Sequence, residues 1–263
     1  MRITQTTLQK MAESHERFTV LTCYDAIFAM VLENAGVEVL LVGDSLGNVL
    51  QGKSTTLAVT LDDMVYHTRC VAQGSSKAFI MADMPFGSYQ ISPEQAFENA
   101  AKIMAAGAHM VKIEGGQIMA DTIRFLTQRG IPVCAHIGLT PQSIHQLGGY
   151  KLQGNSQQSA QQLLEDAQIL EKAGAGLLVM EVVPATLASK ITESLSIPTI
   201  GIGAGPHCSA QVLVLHDMLG LYSGKKPRFV KDFMSGADSI QAAVSSYIAA
   251  VKTGQFPGQE HEF

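Results

Sequence analysis

Charge is scarce in this chain: only 16% of its 263 residues are Asp, Glu, Lys or Arg, against about 25% in an average soluble domain. Part of the folded surface is therefore expected to be covered by further copies of the chain. The charge present is net −5, and its one basic cluster is the short GKKPR at 224–228. That balance excludes the electrostatic footprint of a nucleic-acid binder. Long apolar runs are absent as well. No stretch reaches 18 consecutive apolar residues, and the opening MRITQTTLQKMAESHERF holds no apolar core of a signal peptide. The expectation is a cytoplasmic protein with no membrane contact. Cysteine is limited to Cys23, Cys70, Cys134 and Cys208, with no C-x-x-C pair. Disulfides and thiolate metal centres thus lack support, and reduced, mostly buried thiols are expected.

What the chain does contain is a repeated unit. Short apolar runs at 18–22, 37–43, 78–83, 108–114, 131–136, 175–181 and 197–203 alternate with helical segments. Those segments lie at 26–36, 61–74, 92–107, 118–130, 160–174, 185–195 and 209–220. A weak eighth unit would place a strand near 220–223 before a last helix at 239–254. Most of the runs are continuously apolar, as parallel strands covered on both faces require. Start signals sit where the units predict them: Ser92-Pro93-Glu94-Gln95 combines an N-cap, a first-turn proline and a capping-box partner, and Thr60 with Asp63 repeats the spacing. Gly36, Gly74, Gly107, Gly130 and Gly174 stand where helices close. Eight such units make a (β/α)8 TIM barrel. A doubly wound open sheet is the runner-up, but the first unit lacks the G-x-G-x-x-G turn of a dinucleotide fold. No low-complexity tract or composition break divides the chain, so residues 1–263 read as one domain. The polar stretch 148–159 reads as a surface lid or rim.

In such a barrel, working side chains come from the C-terminal ends of the strands. The candidates there are Asp25, Asp44 with Ser45, Asp83, Lys112 with Glu114, His136 and Glu181. Asp25, directly before a helix, is accounted for as a cap. Asp44, Asp83 and Glu114 fall on consecutive strands, and three crowded carboxylates repel unless a proton or a cation intervenes. All-oxygen ligands suit Mg²⁺. Lys112 and Glu114 share one side of a strand, so Lys112 either orients a substrate carboxylate or pairs with Glu114. His136 is a hydrogen-bond donor for a carboxylate or ketone. Glu181, three strands from Asp83, is free to act as a base. GIGAG at 201–205 is either an anion cradle or a plain turn.

Gly43-Asp44-Ser45-Leu46 spells the signature of the GDSL serine esterases. The nucleophile reading needs a histidine base with an orienting acid, yet no Asp in this chain has His three residues later. His216-Asp217 reads as a pair on a helix surface. The serine therefore has no partner, and the aspartate beside it is the residue of interest.

Longer motifs carry a resemblance over almost the whole chain. TCYDAIFA, LLVGDSLGNVLQG, ADMPFGSY, KIEGG, AHIGLTPQS, GGYKLQG, EVVPATLASKIT and IGIGAG, in this order, resemble the 3-methyl-2-oxobutanoate hydroxymethyltransferase family. The resemblance implies a barrel of the phosphoenolpyruvate-binding type, bound Mg²⁺, 5,10-methylenetetrahydrofolate as one-carbon donor and a homo-oligomer, often a decamer. It implies Asp44, Asp83 and Glu114 as ligands of the metal or groups beside it. Ser45, Lys112 and His136, with Asp44 and Asp83, would bind the 2-oxo acid, and Glu181 would be the general base. The competing readings are a Mg²⁺-dependent lyase of 2-oxo or 2-hydroxy acids on the same barrel, and a non-catalytic ligand-binding barrel. Such lyases carry a cysteine in a KKCGH-like loop that this chain lacks. A silent barrel gains nothing from gathering repelling carboxylates at one mouth.

Overall fold

The computed structural model describes residues 2–222 and 226–263. In chain order the elements are α1 (Gln5–Glu13), β1 (Phe18–Thr22), α2 (Ala26–Ala35), β2 (Val39–Val42) and α3 (Leu46–Val49). Then follow α4 (Leu61–Gly74), β3 (Phe79–Asp83), α5 (Pro93–Ala105), β4 (Met110–Glu114), α6 (Ala120–Thr127), β5 (Val133–Gly138) and α7 (Ile144–Leu147). The chain continues through α8 (Gln157–Lys172), β6 (Leu177–Glu181), α9 (Ala185–Ser194), β7 (Thr199–Ile202), β8 (Ala210–Leu213), α10 (Leu215–Met218) and α11 (Ile240–Lys252). All eight strands pair in parallel and in sequence order, β8 closing on β1.

Alternation along each strand divides the core in two. Phe18 and Val20, Val39 and Leu41, Phe79 and Met81, Met110, Cys134, and Leu177 with Val179 fill the barrel interior. Their neighbours Leu21, Leu40, Val42, Ile80, Val111, Val133 and Leu178 pack outward against the helices. The same inward rows end at the C-terminal rim in polar residues: Phe79-Met81-Asp83, Met110-Lys112-Glu114, Cys134-His136 and Leu177-Val179-Glu181. At the opposite end α1 lies across the barrel, its Leu8 fully buried in the interior cluster and Ile3 and Met11 packed beside it. The barrel is thus plugged at the bottom and open at the top.

Three expectations change. The eighth strand is Ala210–Leu213, inside the segment read as a helix, and only the single turn α10 follows it. The run Val-Leu-Val-Leu at 212–215 is apolar at every position, so its period cannot separate strand from helix. Residues 220–222 of the expected strand form no strand, and residue 223 lies outside the described residues. Ser92 caps α5 through Gln95 N, but the Gln95 side chain accepts from Ile91 N, so no capping box closes; the box at Thr60 and Asp63 does. Gly36 takes the left-handed conformation at its helix end, whereas Gly74 is the last residue of α4. Its bareness serves close packing, since a Cβ there would overlap the Ala26 backbone.

Candidate active site

The inward rows converge on one cavity of about 670 Å³ at the C-terminal mouth. Asp44, Ser45, Asp83, Lys112, Glu114, His136 and Glu181 all line it, so the structure brings every predicted site residue together. Asp25 does not join them. Its carboxylate caps α2 by accepting from Phe28 N at 2.8 Å.

Asp44 arrives on the turn after β2 and Asp83 on the last position of β3. Asp83 Oδ2 accepts the Asp44 backbone N–H at 3.0 Å. The turn between them has no room for a side chain, because a Cβ on Gly43 would meet Ser45 Oγ at 2.7 Å and Asp83 Oδ2 at 3.6 Å. Lys112, paired with Asp83 in the β3–β4 register, sets its Nζ 3.2 Å from Asp83 Oδ1 and 3.8 Å from Glu114 Oε1. Its closer partner is therefore Asp83, across the strands, rather than Glu114 on its own strand. Although within reach of Nζ, Asp83 Oδ1 makes no aligned hydrogen bond and is buried. His136 Nδ1 lies between Lys112 Nζ at 3.1 Å and Glu114 Oε1 at 3.3 Å, and its Nε2 faces Glu181 Oε2 at 3.3 Å.

These groups perturb one another. Burial and the charges of Asp83 and Glu114 raise the Asp44 carboxyl well above its usual range. Burial also raises Asp83, against the pull of Lys112. Burial works against the Glu114 charge too, but His136, Lys112 and the Gln142 amide outweigh it and hold Glu114 low. For His136, burial and the Lys112 cation oppose the charged ring, yet Glu114 and Glu181 overcome them and its pKa is raised. Burial opposes the Lys112 ammonium as well, and the surrounding acids keep it charged far above neutral pH.

Four carboxylates thus face one ammonium and one imidazole in a buried mouth, an excess that calls for a further cation. Among the described residues no three His, Cys, Asp or Glu side chains form a ready-made ligand cage. The carboxylate oxygens of Asp44 and Asp83, hard donors side by side, suit a cation that keeps several waters and is held by one or two carboxylates plus its substrate. Asp44, with one oxygen uncommitted, and Asp83, whose Oδ1 faces the Lys112 ammonium without an aligned hydrogen bond, are the acids with oxygens available. Both Glu114 oxygens are engaged, Oε2 accepting from Gln142 N at 2.9 Å.

Gln142, buried on the loop after β5, stands within the AHIGLTPQS motif and has no role predicted from the sequence, yet it ties the acids together. Its Nε2 donates to Asp44 Oδ2 and to Met84 O, both at 2.9 Å, and its Oε1 accepts from Tyr89 Oη at 2.6 Å. Tyr89 in turn accepts from Glu114 N at 3.1 Å. Tyr24, another buried group, holds Ser45 through a 2.8 Å hydrogen bond between their hydroxyls. Among the described residues no histidine hydrogen-bonds Ser45, which meets a tyrosine instead. Glu181 is presented by a strained turn: the next residue, Val182, has φ 48°, an unfavourable conformation for a β-branched side chain and a mark of functional sites. Asp217, expected on a helix surface, lines the cavity instead. In GIGAG only Ile202, the last residue of β7, reaches the cavity among the described residues; Gly205 packs on Ala185, and residues 203–205 turn away from the strand. In the 148–159 stretch, Tyr150 and Leu152 border the cavity, which makes this segment part of the rim.

Comparison with known proteins agrees with this picture. The family model for ketopantoate hydroxymethyltransferase matches residues 2–259. The chain is 69% identical over 263 residues to the 3-methyl-2-oxobutanoate hydroxymethyltransferase of Nitrosospira multiformis, covering all of both chains. Among solved structures, phosphonopyruvate hydrolase is similar with a TM-score of 0.61 at 15% identity, covering 81% of each chain. A 2,3-dimethylmalate lyase of the PEP mutase/isocitrate lyase superfamily is similar with a TM-score of 0.58 at 19% identity, also over 81% of each. These two likenesses concern the fold.

Proposed function

The chain belongs to the ketopantoate hydroxymethyltransferase family, an enzyme family, and on that premise we propose that it transfers a hydroxymethyl group from 5,10-methylenetetrahydrofolate to 3-methyl-2-oxobutanoate. The product is 2-dehydropantoate, an intermediate of pantothenate biosynthesis. The observation that carries the reading is the full set of mouth residues, four acids with Lys112, His136 and Ser45, in one buried cavity.

Asp44 and Asp83 would hold Mg²⁺, with Glu114 acting beside them through water or through Lys112 and His136. Bound there, the cation supplies Lewis-acid stabilisation for charge that develops on the keto oxygen. Lys112, Ser45 and His136 bind the 2-oxo acid, the lysine as a charged donor to its carboxylate and the serine held in place by Tyr24. Glu181 takes the proton from C3, and His136 Nε2 steadies the Glu181 carboxyl as it does so. The electron pair released on C3 then forms the new C–C bond to the one-carbon unit, whose two bonds to the folate nitrogens break; one water supplies the hydroxyl oxygen and the protons that those nitrogens take up, and tetrahydrofolate leaves. The scarcity of surface charge and the exposed Ile27, Met30 and Tyr66 on neighbouring helices support a homo-oligomer.

The test is formation of 2-dehydropantoate from the two substrates. Product is expected with Mg²⁺, absent with EDTA and restored by added Mg²⁺. No product with any divalent cation would overturn the reading.

A further inference from the structure

The acid-binding residues occupy one side of the mouth. Ser45, Asp83, Lys112 and His136 come from β2 to β5, whereas Asp217 enters from α10, directly after β8. In the closed strand order β8 stands between β7 and β1, opposite β4. Asp217 lines the same cavity, and burial alone acts on its carboxyl, pushing its pKa up to about 6. Among the described residues no hydrogen bond or ion pair engages that carboxyl. A partly dehydrated carboxylate without donors costs free energy that a ligand with donors would recover. Thr56, 3% exposed, lines the same cavity with a buried Oγ that also lacks a partner.

The size of the cavity points to a second occupant. Pockets of about 300–1,000 Å³ enclose drug-sized ligands, and this one measures about 670 Å³. A five-carbon acid on the floor fills little of it. Val214 lines the cavity three residues before Asp217, and Phe229, packed near Val182 and Gly203 after β6 and β7, lines it farther round the mouth, with the exposed Lys226 and Arg228 also on its lining.

The one-carbon donor matches these lining groups in turn. Its pterin ring presents a ring N–H and an exocyclic amino group side by side, a donor pair that one carboxylate accepts through two parallel bonds, as it accepts a guanidinium. Its aminobenzoyl ring suits aromatic and apolar surface. Its glutamate carboxylates suit the two rim cations.

We propose that Asp217 receives the donor edge of the reduced pterin and seats the one-carbon donor on the β8–β1 side of the mouth, across from the 2-oxo acid. This assignment rests on the hydroxymethyltransferase reading above. It makes Asp217 a specificity-determining residue for the second substrate, with no part in holding the metal or moving the C3 proton.

The test is Asp217→Asn, which keeps the shape and turns one acceptor into a donor facing the amino group. The KM for 5,10-methylenetetrahydrofolate is expected to rise at least tenfold, and that for 3-methyl-2-oxobutanoate to stay within twofold. Exchange of the C3 proton into D₂O, a partial reaction that needs no folate, reports that the site is still assembled. A donor analogue with methyl in place of the 2-amino group makes the same test on the unaltered protein. It should lose the same factor with wild type and no further factor with the variant. Unchanged folate KM in the variant, undiminished use of the analogue by wild type, or loss of C3 exchange would each overturn the assignment. A wild-type protein that performs neither exchange nor product formation would instead remove the reading on which it rests.

Discussion

At the bottom of the barrel Glu33 is surrounded by donors, and at the mouth Asp44 is surrounded by acids. Glu33 accepts from Ser75 Oγ at 2.6 Å, Ser76 N at 2.9 Å, Lys77 N at 2.7 Å and Ala78 N at 3.0 Å. Burial opposes its charge, but these donors prevail and hold its pKa at about 2. Close by, Glu38 accepts from Thr19 and pairs with Lys252 at 2.6 Å. Among the described residues Asp44 has a single side-chain donor, Gln142, and it has two neighbouring charges of its own sign. The bottom satisfies its acids within the chain and so holds the fold; the mouth leaves its acids short of donors and so waits for ligands. Opposite satisfaction of the same chemical group separates a structural end of the barrel from a working one.

Substitutions at the two ends should therefore fail in different ways. The largest effect is expected from Glu181→Gln at the mouth, which should lower C3 proton exchange into D₂O by about 10²–10⁴-fold while 3-methyl-2-oxobutanoate still binds. Exchange at the wild-type rate would remove Glu181 as the base. Gln142→Leu comes next. Freeing Asp44 and Glu114 from their tie should weaken Mg²⁺ binding about 10–100-fold with the barrel still folded, which calorimetry and thermal melting together resolve. The smallest effect belongs to the bottom. Glu33→Gln should cost about 1–2 kcal/mol, discounted for partial exposure, and leave kcat unchanged. Because the folded pKa of Glu33 lies below its ordinary 4.5, its contribution is complete above that value. The gap between variant and wild type in urea unfolding should close as pH falls from about 4.5 to about 2. A gap that persists at the acid end would show that the Glu33 charge is not its source.

The barrel was readable because short, mostly continuous apolar runs alternate with segments of helical period, and several of those runs end in polar residues. Met110-Lys112-Glu114 and Leu177-Val179-Glu181 each announce an inward row that ends in a polar head. β8 was not, because the apolar run Val212 to Leu215 passes from the strand straight into α10, with no turn signal to divide strand from helix. Gln142 and Asp217 were missed for a different reason. Gln142 meets Asp44 across 98 residues of sequence, and nothing local to either one marks the contact. Asp217 is one residue of a four-residue helix, too short for its exposed face to be inferred. Side chains at strand ends are placed by the strands, whereas those two are placed by how loops and short turns settle over the mouth.

Titration of Mg²⁺ into wild-type protein and Asp83→Ala by calorimetry tests most directly whether the mouth acids are short of a cation. Binding is expected in the wild type and a loss of at least about 100-fold in the variant, whose melting temperature stays close to wild type. Equal affinity in the two proteins would contradict the account, since the acids of the mouth would then be gathered for something other than a metal.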